Sequence, residues 1–102
     1  MATLYVTEFQ GQGMDQNARS IPITAQTPTA EQTVAIGGSS TQSSAFNNAT
    51  NIVRLHTDAI CSVEFGTNPT ATTSKARMAA NQTEYFFIPV NQAYKVAVIT
   101  NT

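Results

Sequence analysis

The stretch VRLHTDAICSVEF, residues 53–65, alternates apolar and polar side chains with a single exception at Ile60. A period of two is typical of a β-strand, in which successive side chains project from opposite faces. Cys61 therefore falls on the apolar face, whereas His56 and Asp58 fall on the polar one. The pattern predicts extended structure in the middle of the chain and favours a β-protein.

The same stretch holds the chain's only histidine and only cysteine, residue types that cysteine hydrolases use. A catalytic pair needs the imidazole within hydrogen-bond reach of the sulfur, so opposite faces argue against one, although a bend near Thr57 and Asp58 would change this parity. We interpret Cys61 as a small core residue and His56 as a solvated strand residue near Asp58 or Arg54. Because a zinc site usually takes three or four protein ligands, we expect no catalytic centre, no metal and no cofactor.

The composition predicts one small, weakly charged domain. A chain of 102 residues builds a single core. Charged residues make up 11%, against an average of roughly 25%, so threonine, serine, asparagine and glutamine must supply the polar surface. A net charge of −1 offers no basic patch for nucleic acid. No run approaches the roughly 20 apolar residues of a membrane helix, and residues 1–9 lack a signal-peptide pattern. We therefore expect synthesis in the cytoplasm and neither a nucleic-acid nor a membrane partner.

The N-terminal part of the chain predicts a strand followed by an arm. In TLYVTEF, Leu4, Val6 and Glu8 share one face of an extended segment. Glycines, amide side chains and Pro22 then interrupt the pattern. We expect residues 10–30 to form an extended arm or long loop that lies on a partner or on its own sheet.

Residues 30–102 carry the remaining strand patterns. Val34 and Ile36 mark a strand that we expect to turn at Gly37 and Gly38 into a second strand reaching residue 46, because paired glycines suit tight hairpin turns. The segment GTNPTATTSKAR, residues 66–77, is predicted to be a second long loop.

Two apolar segments complete the pattern. YFFI, residues 85–88, is apolar on both faces, which suits either a central strand of a sandwich or a strand whose outer face another chain covers. AYKVAVIT, residues 93–100, is a clear closing strand. About seven or eight short strands without a helical stripe predict an all-β fold. We expect one β-sandwich or jelly-roll-like domain over residues 1–102, with its core in residues 30–102.

The order of these segments resembles a known family. The run AEQTVAIG, followed by VRLHTDAICSVEFGTNPTATTS, ARMAANQTEYFFIPV and the closing VAVIT, is similar to small β-rich virion proteins of tailed bacteriophages and prophages. The resemblance covers residue 30 to the end, with TLYVTEF as a recurrent beginning. It implies a structural protein, most like a capsid decoration or cement protein. Such a protein is made in the cytoplasm of the bacterial host and sits on the capsid surface of the virion.

The partner that the resemblance implies is the major capsid protein, with a homo-oligomer, dimer or trimer, expected in addition. The arm and the loop at residues 67–74 are the segments expected to reach a partner, and EYFFI is the candidate for packing between copies. The expected partner-contact residues are Gln16, Arg19, Ile21, Pro22, Asn68, Pro69, Thr70, Tyr85 and Phe87. Two alternatives stay open, a tail- or fibre-associated adaptor of a phage and, more remotely, a small cysteine-dependent enzyme.

Overall fold

A computed structural model describes residues 2–10 and 30–102 of the protein, together with the backbone of residues 12–14 and 20–24. In these ranges the chain forms only β-strands, turns and irregular segments. The strands are β1 (Ala2–Phe9), β2 (Gln12–Met14), β3 (Ser20–Thr24), β4 (Ala30–Ile36), β5 (Thr41–Gln42), β6 (Ile52–Thr57), β7 (Cys61–Gly66), β8 (Ala76–Met78), β9 (Thr83–Phe87) and β10 (Lys95–Thr100).

Two four-stranded antiparallel sheets build the domain. The first sheet has the strand order β4-β1-β6-β9, and the second has the order β5-β10-β7-β8. Their inner faces share one buried apolar cluster. Its members include Leu4, Val6, Val34, Val53 and Leu55 from the first sheet and Cys61, Val63, Met78, Val96 and Val98 from the second. The prediction of an all-β sandwich is confirmed.

The stretch 53–65 forms two strands rather than one, and they belong to different sheets. β6 ends at Thr57, β7 begins at Cys61, and the residues between them turn the chain from the first sheet to the second. Ile60, the exception to the alternation, lies in this turn. The pattern holds across the turn because both strands direct their apolar side chains into the same core. Cys61 is fully buried there, as predicted.

The predicted hairpin at Gly37 and Gly38 is wrong. β4 pairs with β1 in the first sheet, whereas β5 pairs with β10 in the second, so the glycines lie in a crossover between sheets. Neither glycine adopts the positive φ that a tight hairpin turn requires. The next strand covers only two residues and does not reach Phe46. Phe46 instead binds beside β10, where its N–H donates to the carbonyl oxygen of Tyr94 at 2.8 Å.

The segment from residue 10 to residue 30 contains paired strands where the sequence predicted an arm or loop. β2 and β3 pair antiparallel as a separate two-stranded sheet. Pro22 lies within β3, and proline is tolerated there because each strand of a two-stranded sheet has a free edge. Residues 11, 15–19 and 25–29 lie outside the described part of the chain.

The strand β9 lies at the edge of the first sheet, so the interpretation of EYFFI as a central strand is wrong. β9 pairs with β6 along Ile52–Phe87, Arg54–Tyr85 and His56–Thr83. Its side chains alternate, with Tyr85 and Phe87 exposed and Phe86 half-buried. Phe86 packs inward, where its ring centroid lies 5.0 Å from that of Phe65. Phe86 and Ile88 contact the core, whereas Tyr85 and Phe87 face outward, so the outward face of this segment is an exposed aromatic surface.

The buried carboxyl group of Glu8 links β1 to the turn at residues 47–50. Glu8 is only 1% exposed, which confirms that it shares a face with the apolar residues of β1. Its Oε1 accepts hydrogen bonds from the Asn47 N–H and the Thr50 hydroxyl, both at 2.8 Å. The Gln32 amide of β4 donates to Oε2 at 3.5 Å. These donors replace the hydrogen bonds to water that a buried carboxyl group loses.

Replacing Glu8 with leucine is expected to destabilise the domain by about 2–3 kcal/mol, because the N–H of Asn47 would be left without its acceptor. Glu8→Gln keeps one acceptor oxygen and is expected to cost about 1 kcal/mol. Urea unfolding of the variants measures both changes. Glu31→Gln on the exposed side of β4 is the control, with a change below about 0.5 kcal/mol. An E8L variant as stable as the control would contradict this role.

Candidate functional site

The histidine and the cysteine of the opening stretch do not form a catalytic pair. His56 lies on the outer face of the first sheet, with its Nδ1 2.7 Å from the Thr83 hydroxyl and its ring beside Tyr5. Cys61 lies in the core, and its thiol donates to the Thr57 hydroxyl at 3.6 Å. The two side chains therefore have different partners on different faces, as the alternation predicted.

Burial keeps the cysteine in its neutral form. Desolvation raises the pKa of the Cys61 thiol above the ordinary value of 9.0, and the negative charge of Asp58 adds to the increase, against a smaller opposing effect of the Thr57 hydrogen bond. Because the thiolate is the nucleophilic form, this environment does not suit catalysis. Among the described residues, no group of three or more histidine, cysteine, aspartate and glutamate side chains is placed to hold a metal ion.

Cys61→Ala is expected to destabilise the fold by about 1–2 kcal/mol through a small cavity in the core. Thermal or urea unfolding measures the cost. Cys61→Ser is the companion variant, because its hydroxyl can still bond to the Thr57 hydroxyl but is otherwise surrounded by apolar core residues. If C61A left stability unchanged, the core assignment of this residue would be contradicted.

The raised pKa also predicts a pH dependence. Above pH 9.0, the ordinary thiol value, the cysteine of the unfolded chain ionises while the buried thiol of the folded chain does not. The unfolded state then binds fewer protons than the folded state, so stability decreases with rising pH until the folded pKa is passed. Unfolding free energies measured from pH 7 to 10 should show a decrease in the native protein that C61A lacks. Parallel curves would contradict the expectation.

The outer face of the second sheet is covered by the chain's own loop between β7 and β8, residues 67–75. Pro69 and Ala71 of this loop are buried. The Gln42 amide of β5 donates to the Asn68 side chain at 2.9 Å and to the Pro69 carbonyl at 2.7 Å. Of the loop residues expected to contact a partner, Asn68 and Pro69 therefore bind their own chain, and Thr70 is exposed.

Further polar contacts attach this loop to the outer face of the second sheet. The Asn101 amide donates to the Ser62 hydroxyl of β7 at 2.7 Å and to the Thr73 carbonyl of the loop at 3.2 Å. An ion pair of 3.0 Å joins Lys75 to Glu64. Ser62, although on the outer side of its strand, is fully buried. The second sheet thus presents little of its own surface.

The outer face of the first sheet is open by comparison. Tyr5 of β1 is 45% exposed, and Tyr85 and Phe87 of β9 are 58% and 80% exposed. Between these strands, β6 contributes the half-buried side chains of Arg54 and His56. The register places Tyr5 opposite His56 and Arg54 opposite Tyr85, so the side chains form continuous rows. We call this surface, formed by these five residues, the open face.

A shallow groove crosses the part of the sheet next to β4. Its polar rim combines the basic Arg54 with the acidic Glu31 and Asp58, so both kinds of charged side chain are present. Asp58 is already engaged, since its Oδ1 accepts a hydrogen bond from the Thr3 N–H at 2.7 Å. The groove is lined by Tyr5, Val6, Thr7, Glu31, Gln32, Thr33, Arg54, His56 and Asp58. Such a surface suits a polypeptide partner better than a small charged ligand.

The predicted partner-contact residues are separated in the structure. Tyr85 and Phe87 lie together on the open face. Ile21 and Pro22 belong to β3, of which only the backbone is described, and Gln16 and Arg19 lie outside the described residues.

The sequence reasoning missed Tyr5, Arg54 and His56 as members of one surface with Tyr85. The alternation in TLYVTEF separates Tyr5 from Leu4 and Val6, and this signal alone indicates an outward side chain. Its neighbours on the open face depend on β1 pairing with β6, and β6 with β9. Nothing in the local pattern specifies that order.

Comparison with protein-family models, curated proteins and solved structures finds no match for this chain. The resemblance to phage virion proteins is an expectation from the sequence segments, and these comparisons do not test it. No described residue belongs to a helix long and apolar enough to cross a membrane.

Proposed function

We propose that the protein is a structural component of a tailed-phage virion, a decoration or cement protein that binds the outside of the capsid. One observation carries the proposal: the chain covers the outer face of one sheet with its own loop and leaves aromatic side chains on the other. Exposed aromatic residues surrounded by polar ones are typical of a protein-binding surface. The resemblance of the sequence segments to small virion proteins is the reason for proposing the major capsid protein as the partner.

The open face supports binding without strong electrostatic steering. Tyrosine and arginine are enriched at the centres of protein interfaces, because they bury large areas and offer hydrogen bonds. Tyr5 and Arg54 bring both residue types to the middle of the sheet rather than to a flexible loop. A surface held by strands is rigid, so binding costs little ordering entropy.

A cement role follows from binding alone. A protein that binds the assembled shell and not its separated subunits stabilises the shell by mass action. Contacts to neighbouring capsomers multiply the effect, because the second contact forms at a high effective concentration. The buried thiol and its separation from His56 are compatible with this non-catalytic role.

Quantitative mass spectrometry of purified virions tests the proposal. The ratio of this protein to the major capsid protein is expected to be near one or a simple fraction of it. A trace ratio would instead indicate a tail or fibre adaptor, which is present in few copies. Absence from virions would contradict the structural role altogether.

The docking surface is tested by replacing Tyr5 with serine. Because Tyr5 is exposed on the open face, Y5S is expected to weaken binding to purified shells about ten-fold, which corresponds to about 1.4 kcal/mol. Val90→Ser is the matched control, since Val90 is similarly exposed at 44% but lies outside β9. Co-sedimentation of the variants with shells measures occupancy. Equal loss in both variants, or none in Y5S, would contradict docking through this face.

A further inference from the structure

At the outer edge of β9, the main-chain groups of alternate residues point away from the rest of the sheet. On its inner side, the Ile88 N–H donates to the Asn51 carbonyl at 2.9 Å, and the Gln82 carbonyl accepts from the Thr57 N–H at 3.2 Å. In an antiparallel ladder, hydrogen-bonded positions alternate with positions whose groups face away. Positions 83, 85 and 87 therefore direct their N–H and C=O groups away from β6. Among the described residues, no strand pairs with this side of β9.

Of the features by which proteins usually block edge-to-edge pairing, this edge has no lysine, proline or bulge, and its one charged residue, Glu84, lies on the half-buried face with Phe86 and not on the exposed face. β9 is TEYFF, with one acidic residue and an uninterrupted register against β6. The edge strands of the second sheet are shorter, since β5 covers two residues and β8 three. The other edge of the first sheet, β4, carries Glu31, Thr33 and Ala35 on its outer side rather than aromatic residues.

We propose that β9 pairs antiparallel with β9 of a second copy of this chain, joining the two first sheets into one continuous sheet. A twofold axis at Phe86 places Tyr85 opposite Phe87 of the second copy, so that each residue satisfies the outward groups of the other. Both cross-strand pairs are aromatic, which is a favourable combination. The open faces of the two copies then lie side by side on the same surface.

The single charge of β9 bears on the register of this pairing. Glu84 is the only charged residue of the strand, and with the axis at Phe86 it lies opposite Ile88 of the second copy. Moving the axis to Tyr85 would bring the two Glu84 side chains to diagonal positions about 7–8 Å apart, which is closer than in the Phe86 register. In the Phe86 register the strand pairs aromatic residues with aromatic residues and keeps its two Glu84 side chains apart, and this self-complementarity favours a second copy over an unrelated strand.

Sedimentation equilibrium of the purified chain and of two variants tests the pairing. Tyr85→Val removes the ring but keeps the N–H, whereas Tyr85→Pro removes both and leaves the ladder to β6 intact, because the N–H of residue 85 points outward. The native chain is expected to dimerise, Y85V to dimerise within about ten-fold of the native Kd, and Y85P to require at least about a hundred-fold higher concentration. A monomeric native chain, a dimeric Y85P or an equal loss in both variants would overturn the proposal.

Hydrogen exchange of the native chain gives a test that needs no variant. The amides of Tyr85 and Phe87 should exchange fast in dilute solution and become protected as the concentration rises. The amide of Ile88, bonded to Asn51, should stay protected throughout. Fast exchange at Tyr85 and Phe87 at all concentrations would overturn the pairing even if Y85P failed to fold.

This inference does not rest on the capsid role, and its failure is distinguishable from failure of that role. Tyr5, which tests docking to the shell, lies on β1 and is separated from the β9 edge by β6. Y5S should therefore reduce shell binding without changing the dimer. Y85P should abolish the dimer.

Discussion

The turn between β6 and β7 is the constraint on which the arrangement of the two sheets depends, and Thr57 holds it in place. Its N–H and carbonyl bond to Gln82 and Asn81, in the turn that precedes β9. Its hydroxyl accepts hydrogen bonds from the Ala59 N–H at 3.2 Å and from the Cys61 thiol at 3.6 Å. Asn81 adopts a positive φ of 62°, a conformation that asparagine tolerates better than most residues. One buried threonine thus connects the start of β9, the end of β6 and the start of β7.

The two outer faces of the sandwich differ because the segments that leave β7 and β9 take different paths. After β7, the loop at residues 67–75 folds back and binds through Asn68, Pro69 and Ala71. After β9, the chain leaves the edge at Pro89 and returns to β10. The sandwich therefore has a covered side and an open side, and the exposed aromatic residues are concentrated on the open one. The open face is the proposed docking surface for the shell, and β9 at its edge is the strand proposed to pair with a second copy.

Side-chain alternation made the local structure predictable, but the strand order was not. It separated Cys61 from His56 and placed Glu8 with the core residues of β1, because period-two patterns report which face is buried. It could not distinguish one strand from two at residues 53–65, since a three-residue turn preserves the alternation. The glycine pair misled for a similar reason, because glycines suit a crossover as well as a hairpin turn. The open face depends on the pairing of strands that are distant in the sequence, and this pairing cannot be read from any local sequence pattern.

The position of β10 near the end of the described strands affects when the domain can fold. Residues 95–100 form an inner strand of the second sheet, between β5 and β7. Until these residues are available, the second sheet has only the β7–β8 ribbon, and the core lacks Val96 and Val98. Such long-range pairings slow folding, because the chain loses the entropy of loop closure before the stabilising contacts form. On the ribosome, the second sheet would therefore stay incomplete until β10 has left the exit tunnel.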